Sequence, residues 1–337
     1  MKTLVLKGPG IAEVQTAPQP EVAGQDLLLK VRMVGLCGTD LSSFRGKNPM
    51  LTFPRILGHE VAATIAEGKA NHSKLVAGTN VALFPYLSCG KCSSCRHNRP
   101  NACQFNQTLG VQRDGALAEY ITMPEEKLYP ADLSIKELCL VEPLTIGFHA
   151  VGRGRVVKQD TVAIFGCGGV GLGAVAASHF RGARTIAVDV SDDKLDVARK
   201  AGANFVIHSG RENLHENLLE LTDGFGPDVV IEAIGLPQTF RAAVEEVAFT
   251  GRVVYIGYAK EPVSYETRWF VQKELDIMGS RNAVPEDFRE VILMLERKLF
   301  PVDDAVSLIA RIEEVPALLQ AWADDSSRFK KIMISMD

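Results

Sequence analysis

Alternating apolar and charged side chains mark the first strand-like segment of the chain. Leu29, Val31 and Met33 alternate with Lys30 and Arg32, which is the two-residue period of a strand with one buried face. Glycine and proline interrupt residues 1–145 frequently, as expected for a region of short strands and many turns. We therefore predict that this first region is rich in β-structure.

A different pattern occupies residues 146–284, where short β-branched runs are followed by glycines and then by helical stretches. The runs are Thr161–Phe165, Thr185–Val188, Phe205–Ile207, Val229–Ile231 and Val253–Ile256. This rhythm is typical of βαβ units and predicts a parallel sheet with helices on its faces.

Beyond Pro285 the apolar positions return to a helical period, with Phe288, Val291 and Leu295 on one face. A second helix is predicted at Val315–Trp322 and a last strand at Lys331–Met336. The parallel-sheet block is therefore expected to interrupt another domain.

Composition narrows the class of protein. Hydrophobic residues make up 46% of the chain and charged residues 23%, which excludes a disordered, collagenous or coiled-coil protein. The net charge of −4 offers no electrostatic reason to bind nucleic acid or an anionic membrane. The amino-terminal apolar run is too short for a signal peptide, and no apolar run is long enough to span a bilayer. We expect a cytoplasmic protein that binds neither nucleic acid nor a membrane. In such a protein, clustered cysteines indicate metal sites or catalysis rather than disulfides.

A glycine-rich motif follows the predicted strand Thr161–Phe165 and opens an apolar helix. It reads Gly166, Cys167, Gly168, Gly169, Val170 and Gly171. Glycines at these places allow a tight turn and a close approach of the backbone to a pyrophosphate. Asp189 ends the next predicted strand, where an acid binds the adenosine ribose and disfavours a 2′-phosphate. The motif predicts an NAD site, with Lys194 either reaching that ribose or lying solvated on a helix.

Four cysteines lie close together in the first region: Cys89, Cys92, Cys95 and Cys103. Four thiolates at this spacing favour a closed tetrahedral zinc site, which is structural because no coordination position is left for a substrate. A bacterial iron–sulfur run would have a shorter last gap followed by proline, whereas Gln104 follows here. A nucleic-acid-binding zinc ribbon would need a stronger basic field than Lys91, Arg96 and Arg99 provide.

A third group of chemically capable residues is dispersed. It comprises Cys37, Thr39 and Asp40, then His59 and Glu60, and finally Glu142. Thiolate, imidazole and carboxylate are the ligand types of a catalytic zinc with an open position. Their spacing alone does not establish that they meet.

With these motifs in view, the chain resembles the zinc-dependent medium-chain dehydrogenase/reductase family, which includes alcohol, sorbitol and threonine dehydrogenases. The resemblance runs nearly end to end and includes the stretches 114–120 (DGALAEY) and 142–149 (EPLTIGFH). It implies an α/β protein with a GroES-like β-barrel catalytic domain over residues 1–145 and 285–337. A Rossmann NAD-binding domain over residues 146–284 would interrupt it, with the active site between the two domains.

The resemblance also implies roles by position. Cys37 and His59 match the thiolate and imidazole ligands of the catalytic zinc. Glu60 and Glu142 match acids that bind the metal directly or through water, and Glu142 replaces the second cysteine of alcohol dehydrogenases proper. Asp40 would accept the other ring N–H of His59. The implied cofactors are NAD and two zinc ions per subunit, one catalytic and one structural.

Two hydroxyl side chains are implied in proton transfer. Thr39 would hydrogen-bond the substrate hydroxyl and begin removal of its proton. Ser42 stands where relatives often carry a histidine that passes the proton to solvent.

Substrate residues are expected in two further segments. Arg281 matches an arginine that contacts the polyol in sorbitol dehydrogenases, and segment 275–288 resembles sugar-acid dehydrogenases of the galactonate/gulonate type. Arg113 lies in a loop that borders the pocket in the family, where it either meets a substrate carboxylate or forms a surface or interdomain pair.

We expect oxidation of a secondary hydroxyl of a polyol, sugar or sugar acid by NAD. Two alternatives are another secondary alcohol, such as threonine or butanediol, and a non-catalytic sensor that binds zinc and NAD. The resemblance implies a homo-oligomer, a dimer or tetramer, joined through an edge strand predicted at Leu275–Met278.

Overall fold

A computed structural model describes residues 1–68, 70–71, 75–325 and 329–337. Its strands are β1 (Lys2–Gly8), β2 (Ile11–Thr16), β3 (Asp26–Leu36), β4 (Arg55–Ile56), β5 (Glu60–Glu67), β6 (Asn80–Leu83), β7 (Tyr86–Leu87), β8 (Gln107–Thr108), β9 (Tyr120–Pro124), β10 (Leu128–Pro130), β11 (Thr161–Phe165), β12 (Arg184–Asp189), β13 (Phe205–His208), β14 (Val229–Glu232), β15 (Arg252–Tyr255), β16 (Asp276–Gly279), β17 (Leu308–Arg311) and β18 (Ile332–Ser335).

The α-helices are α1 (Gly38–Phe44), α2 (Ser93–Arg96), α3 (Ile135–Arg153), α4 (Gly169–Phe180), α5 (Asp192–Lys200), α6 (Leu214–Leu221), α7 (Pro237–Glu246), α8 (Arg268–Gln272), α9 (Pro285–Glu296), α10 (Val302–Ala305) and α11 (Val315–Asp324). Short 3₁₀ helices lie at Pro100–Ala102, Glu125–Lys127 and Ile312–Glu314. No helix of the described residues is long and apolar enough to cross a membrane.

The chain divides into two compact units, Met1–Glu142 with Val302–Asp337, and Pro143–Pro301. Helix α9 therefore belongs to the second unit, although the sequence analysis placed residues 285–337 together in the first domain. Asp287 of α9 lies 2.9 Å from His149 of α3, and Glu290 accepts a hydrogen bond from Arg181, just after α4, at 3.0 Å. These buried and half-buried contacts tie α9 to its neighbours in the second unit.

The first unit is built on a mainly antiparallel sheet with the strand order β10-β6-β5-β3-β18-β17, and β9 also pairs with β3. The predicted alternation holds in β3, where Leu29 and Val31 are buried and Lys30 is exposed. Met33 is only half-buried, because the pairing of β3 with β5 shifts register between Val31 and Met33. Such a bulge breaks the two-residue alternation.

The second unit contains a parallel sheet with the strand order β13-β12-β11-β14-β15-β16. Every adjacent pair in this order is parallel, and the order is that of a doubly wound dinucleotide-binding sheet. The prediction of Thr161–Phe165 coincides with β11, and the other predicted runs overlap β12 to β15. The edge strand predicted at Leu275–Met278 overlaps β16, which lies at the end of the sheet.

Each unit has its own apolar core. In the first unit Leu29, Leu83 and Ile334 of neighbouring strands are fully buried. In the second unit Phe165 and Val253 of the parallel strands are buried with helical side chains. The prediction of an α/β protein is confirmed.

Candidate active site and metal centres

The pairing of β3 with β5 brings the first two predicted metal ligands together. Cys37 follows β3 as the N-cap of α1, and His59 directly precedes β5. Gly35 of β3 is paired with Glu60 of β5, so the ends of the two strands coincide. The Cys37 Sγ atom lies 3.1 Å from Nε2 of His59. Two residues that are far apart in sequence thus become neighbours through strand register.

Helix α3 adds the carboxylate of Glu142 to this pair. Ligand atoms of His59, Glu60 and Glu142 lie within 4.8 Å of one another, and all three residues are buried. Burial, reinforced by the neighbouring Glu60, raises the pKa of Glu142 to about 7. Burial acts to lower the pKa of His59, but Cys37 and Asp40 raise it well above its ordinary value. The donor set of thiolate, imidazole and carboxylate fits a zinc ion, whose positive charge would balance this buried group.

The hydrogen bond predicted between Asp40 and His59 is not formed. Oδ2 of Asp40 instead accepts from the backbone N–H of Cys37 at 3.0 Å, which caps α1. Oδ1 of Asp40 and Nδ1 of His59 are both buried without a partner. A buried polar atom without a hydrogen bond destabilises the folded protein. The pair of atoms suits a histidine that binds a metal through Nε2, because its proton then lies on Nδ1 and can be donated to Asp40.

Sequence reasoning missed Lys331. Its Nζ atom lies 2.7 Å and 2.5 Å from the two carboxylate oxygens of Glu60, and 3.3 Å from the carbonyl oxygen of Leu36. Burial acts to lower the pKa of Lys331, but Glu60 and Cys37 raise it above its ordinary value. A lysine at the start of an apolar final strand was the only available signal, and it did not point to Glu60.

Tyr86 was also missed. Its hydroxyl group donates a hydrogen bond to Oε1 of Glu142. The ring is buried, and burial together with Glu142 raises the pKa of Tyr86 well above its ordinary value. Tyr86 therefore stays a neutral donor that holds one oxygen of Glu142.

Thr39 and Ser42 lie on α1 beside this cluster, and both are half-buried. The backbone N–H of Thr39 donates to Sγ of Cys37 at 3.2 Å. The two hydroxyl residues are three positions apart, which places them on adjoining parts of one helix face.

The second cluster lies around α2. Sγ atoms of its four members lie within 4.8 Å of one another: Cys89, Cys92, Cys95 and Cys103. None of them is in a disulfide. The hydroxyl of Ser94 and nearby backbone N–H groups lower the pKa of Cys92 to about 5, which favours a thiolate. Four sulfur donors in a closed group fit a structural zinc.

The glycine motif lies in the second unit at the carboxyl end of β11. Gly166 has a φ of +94°, in the region that favours glycine. A Cβ on Gly171 would lie 1.7 Å from the carbonyl oxygen of Gly166, whereas a Cβ on Gly168 would meet nothing within 4 Å. Gly171 is thus required for the packing of the turn, and Gly168 leaves open space before Gly169 and Val170 of α4. Such a cradle fits a pyrophosphate at a helix N-terminus.

Asp189 ends β12 and holds the same loop. Its Oδ2 accepts from the N–H of Cys167 at 2.8 Å, and its Oδ1 accepts from the N–H groups of Val190 at 2.8 Å and Ser191 at 3.1 Å. Nζ of Lys194 lies 4.0 Å from Oδ1. The predicted cofactor residues of the second unit are therefore brought together around one carboxylate.

The two predicted substrate arginines lie in different units. Arg113 lies in the first unit, in the loop after β8, and is half-buried. Arg281 lies in the second unit, between β16 and α9, and is also half-buried.

Comparison with known proteins agrees with this arrangement. Residues 23–133 match the family model described as an alcohol dehydrogenase GroES-like domain, and residues 169–297 match that of a zinc-binding dehydrogenase. The L-galactonate-5-dehydrogenase of Escherichia coli K12 is 33% identical, with 83% of each chain covered. The sorbitol dehydrogenase of Bacillus subtilis is 33% identical, with 83% of this chain and 81% of that protein covered.

Among solved structures, an alcohol dehydrogenase from Escherichia coli CFT073 complexed with NADH has a TM-score of 0.91 at 26% identity. The match covers 100% of this chain and 99% of that one. The predicted GroES-like and Rossmann architecture is confirmed, as are the cofactor classes, zinc and a nicotinamide dinucleotide. The chain belongs to the zinc-type alcohol dehydrogenases of the medium-chain dehydrogenase/reductase family.

Proposed function

We propose that this protein is an NAD-dependent zinc dehydrogenase that oxidises a secondary hydroxyl group of a polyol, sugar or sugar acid to a ketone. The observation that carries the proposal is the cluster around His59, which has the half-buried thiol of Cys37 at 3.1 Å and the buried carboxylate of Glu142 within 4.8 Å, so that the third donor is a carboxylate. A second thiolate would make a pocket suited to apolar alcohols, whereas the carboxylate makes it more polar and suits several hydroxyl groups. The relatives that act on L-galactonate and sorbitol support this substrate class.

Cys37, His59 and Glu142 would hold the catalytic zinc. Glu60 is the weaker candidate, because both of its carboxylate oxygens are bound by Lys331. A bound zinc lowers the pKa of a coordinating hydroxyl group toward neutrality. The four cysteines around α2 would hold the structural zinc and stabilise the part of the first unit between Cys89 and Cys103.

Thr39 would accept the hydroxyl proton of the substrate at Oγ1 while it gives up the proton of its own hydroxyl group toward Ser42. Ser42, on the same face of α1, would pass a proton on to solvent in the place of the histidine of relatives. Asp40 is the acceptor available to His59: with zinc on Nε2, the N–H at Nδ1 would donate a hydrogen bond to Oδ1 of Asp40, and the two buried atoms that now lack a partner would be paired.

The second unit binds the dinucleotide. Gly166, Gly168 and Gly171 would let the pyrophosphate of NAD approach α4, and the nicotinamide held in this way would supply the acceptor for the hydride of the substrate carbon. Asp189 selects NAD over NADP because its buried carboxylate suits a ribose diol and repels a 2′-phosphate. Nζ of Lys194 lies 4.0 Å from this carboxylate and would reach the same ribose.

The test is steady-state kinetics with NAD and NADP on sorbitol, L-galactonate, L-gulonate, ethanol and butanol. The proposal expects the polyhydroxylated compounds to have the higher kcat/KM and NAD to be preferred. Arg281→Lys keeps the charge but loses the two-pronged donor geometry, so it should lower kcat/KM on the best polyol severalfold.

Higher kcat/KM for the simple alcohols would overturn the substrate class. Binding of zinc and NAD without turnover of any alcohol would instead favour the non-catalytic sensor.

A further inference from the structure

We propose that Arg113 and Lys127 form a binding site for the anionic end of the substrate, a carboxylate or a phosphate monoester. This proposal rests on the proposed function and refines it. The oxidised hydroxyl group lies at the Cys37, His59 and Glu142 cluster, and the negative group lies at these two cations.

Backbone contacts place the two cations in one neighbourhood, around the pairing of Thr108 with Tyr86. The N–H of Arg113 donates to the carbonyl oxygen of Thr108 at 3.4 Å, and Nζ of Lys127 donates to the carbonyl oxygen of Tyr86. Among the described residues, the side chain of Arg113 forms no hydrogen bond and no ion pair. Burial lowers the pKa of Lys127; the nearby Glu126 raises it, and Arg113 lowers it to a smaller extent. Glu126 is exposed and forms no ion pair with Lys127 within the described ranges, and Asp114 is paired with Arg55 at 3.1 Å.

The ammonium group of Lys127 has a fixed position and still has N–H groups available for a ligand. Its Nζ atom donates to the carbonyl oxygen of Tyr86 at 3.0 Å and lies 4.7 Å from the centre of the Phe84 ring. An ammonium group has three donors, so this single hydrogen bond leaves others available. The aromatic ring and the half-buried position favour a ligand that brings its own negative charge.

Tyr86 connects this cation pair with the metal-ligand cluster. Its carbonyl oxygen accepts from Lys127, while its hydroxyl group donates to Glu142. Lys127 and Glu142 are therefore separated by the length of one tyrosine, which is comparable with the carbon chain of a sugar acid. A molecule of that length can present a hydroxyl group at Glu142 and its charged end at Lys127.

The loop that carries Arg113 is fastened to both sides of the same cluster. The N–H of Leu109 donates to the carbonyl of Pro85, next to Tyr86, at 3.0 Å. The N–H of Ala116 donates to the carbonyl of Gly58, next to His59, at 2.9 Å. The loop thus borders both the tyrosine and the histidine of the cluster.

An arginine and a lysine together suit an oxyanion. The guanidinium group holds two oxygens at once, and the ammonium group adds a point charge. A neutral polyol would leave both half-buried cations without a counter-charge. Discrimination against neutral analogues is therefore expected to be strong.

The experiment compares three compounds with one carbon skeleton: galactitol, L-galactonate and galactitol 1-phosphate. A second set uses sorbitol, L-gulonate and sorbitol 6-phosphate. We expect kcat/KM of the wild-type enzyme to be about tenfold or more higher for an anionic member than for its neutral partner. A preference for the acid identifies a carboxylate, and a preference for the phosphate ester identifies a phosphate.

Variants assign this preference to the two residues. Arg113→Gln and Lys127→Gln should each lower kcat/KM about tenfold on the anionic substrate, mainly through KM, and less than about twofold on the neutral one. Arg113→Lys should recover part of the loss. Lys7→Gln is the matched control, because it removes one charge from an exposed pair with Glu13 on the same unit.

A wild-type enzyme that prefers the neutral member of both sets would overturn the anion site. Equal losses on neutral and anionic substrates in Arg113→Gln and Lys127→Gln would overturn it as well. No turnover of any alcohol, charged or neutral, would be a failure of the proposed dehydrogenase function and is distinguishable from both results.

Discussion

The ammonium group of Lys331 lies within 2.7 Å of both carboxylate oxygens of Glu60, and the two residues are 7% and 2% exposed. The carboxylate of Glu60 also lies within 4.8 Å of the ligand atoms of His59 and Glu142. The pair places a fixed positive charge among the buried acids before any metal is present. The pair also joins the residue that precedes β18 to the first residue of β5.

Breaking this pair should destabilise the protein. Lys331→Met leaves the Glu60 carboxylate buried without a partner, and we expect the free energy of unfolding to fall by about 3–5 kcal/mol. Urea unfolding followed by circular dichroism measures it. Lys30→Met, which removes an exposed pair with Asp337, should cost less than about 1 kcal/mol.

The double variant Glu60→Gln with Lys331→Met separates pairing from packing. It should be more stable than Lys331→Met alone, because the uncompensated charge is gone. Equal or lower stability of the double variant would contradict an electrostatic origin of the effect.

The two metal centres should respond differently to loss of one thiolate. Wild-type protein should contain two zinc ions per chain by elemental analysis. Cys37→Ser should retain one zinc, keep its thermal unfolding midpoint and lose activity. Cys92→Ser should lose the other zinc and unfold at a lower temperature, because structural zinc binding contributes to folding free energy. Full activity of Cys37→Ser would refute the catalytic site.

The glycine motif offers a matched pair of substitutions. A Cβ at Gly168 meets nothing within 4 Å, and its φ of −69° is ordinary. Gly168→Ala should therefore unfold like wild type but bind NADH about tenfold more weakly or worse, because the methyl group fills the space left for the pyrophosphate. Fluorescence titration with NADH measures the dissociation constant.

Gly171→Ala should change both the stability of the protein and its affinity for NADH. Its Cβ would lie 1.7 Å from the carbonyl oxygen of Gly166, so the turn itself must move. A lowered unfolding midpoint together with lost NADH binding is expected. Wild-type NADH affinity in Gly168→Ala would show that no ligand approaches that position.

Asp189 should determine the cofactor preference. Asp189→Asn keeps an acceptor for the loop N–H groups but loses the charge that binds the ribose diol and repels a 2′-phosphate. The dissociation constant of NADH should rise about tenfold, and the preference for NADH over NADPH should narrow. Asp196→Asn, on the exposed side of α5 and paired with Arg199, should change neither value. A wild-type preference for NADPH would contradict this role.

The sequence by itself was sufficient where chemistry is local. The strand Thr161–Phe165 and its glycine turn lie within a few residues of one another, and backbone conformation and glycine spacing are short-range properties. The cysteines between Cys89 and Cys103 likewise lie close enough for spacing alone to indicate a closed metal site. The parallel sheet followed from a repeated period of short strands.

The dispersed site was predicted only through the resemblance to a family, and its neighbours were not predicted at all. Lys331 is 271 residues from Glu60, and Tyr86 is 56 residues from Glu142. Neither separation leaves a trace in local periodicity. The second unit also extends to Pro301 and includes α9, whose Asp287 and Glu290 contact His149 and Arg181 of that unit.

Local patterns therefore determined which elements form and which ligand types are available. Strand register and helix packing decided which side chains meet, because a buried charge is satisfied by whichever partner the tertiary structure brings within reach. The pairing of β18 with β3 places Lys331 at Glu60, and the position of β7 places Tyr86 at Glu142. No local sequence pattern predicts either contact.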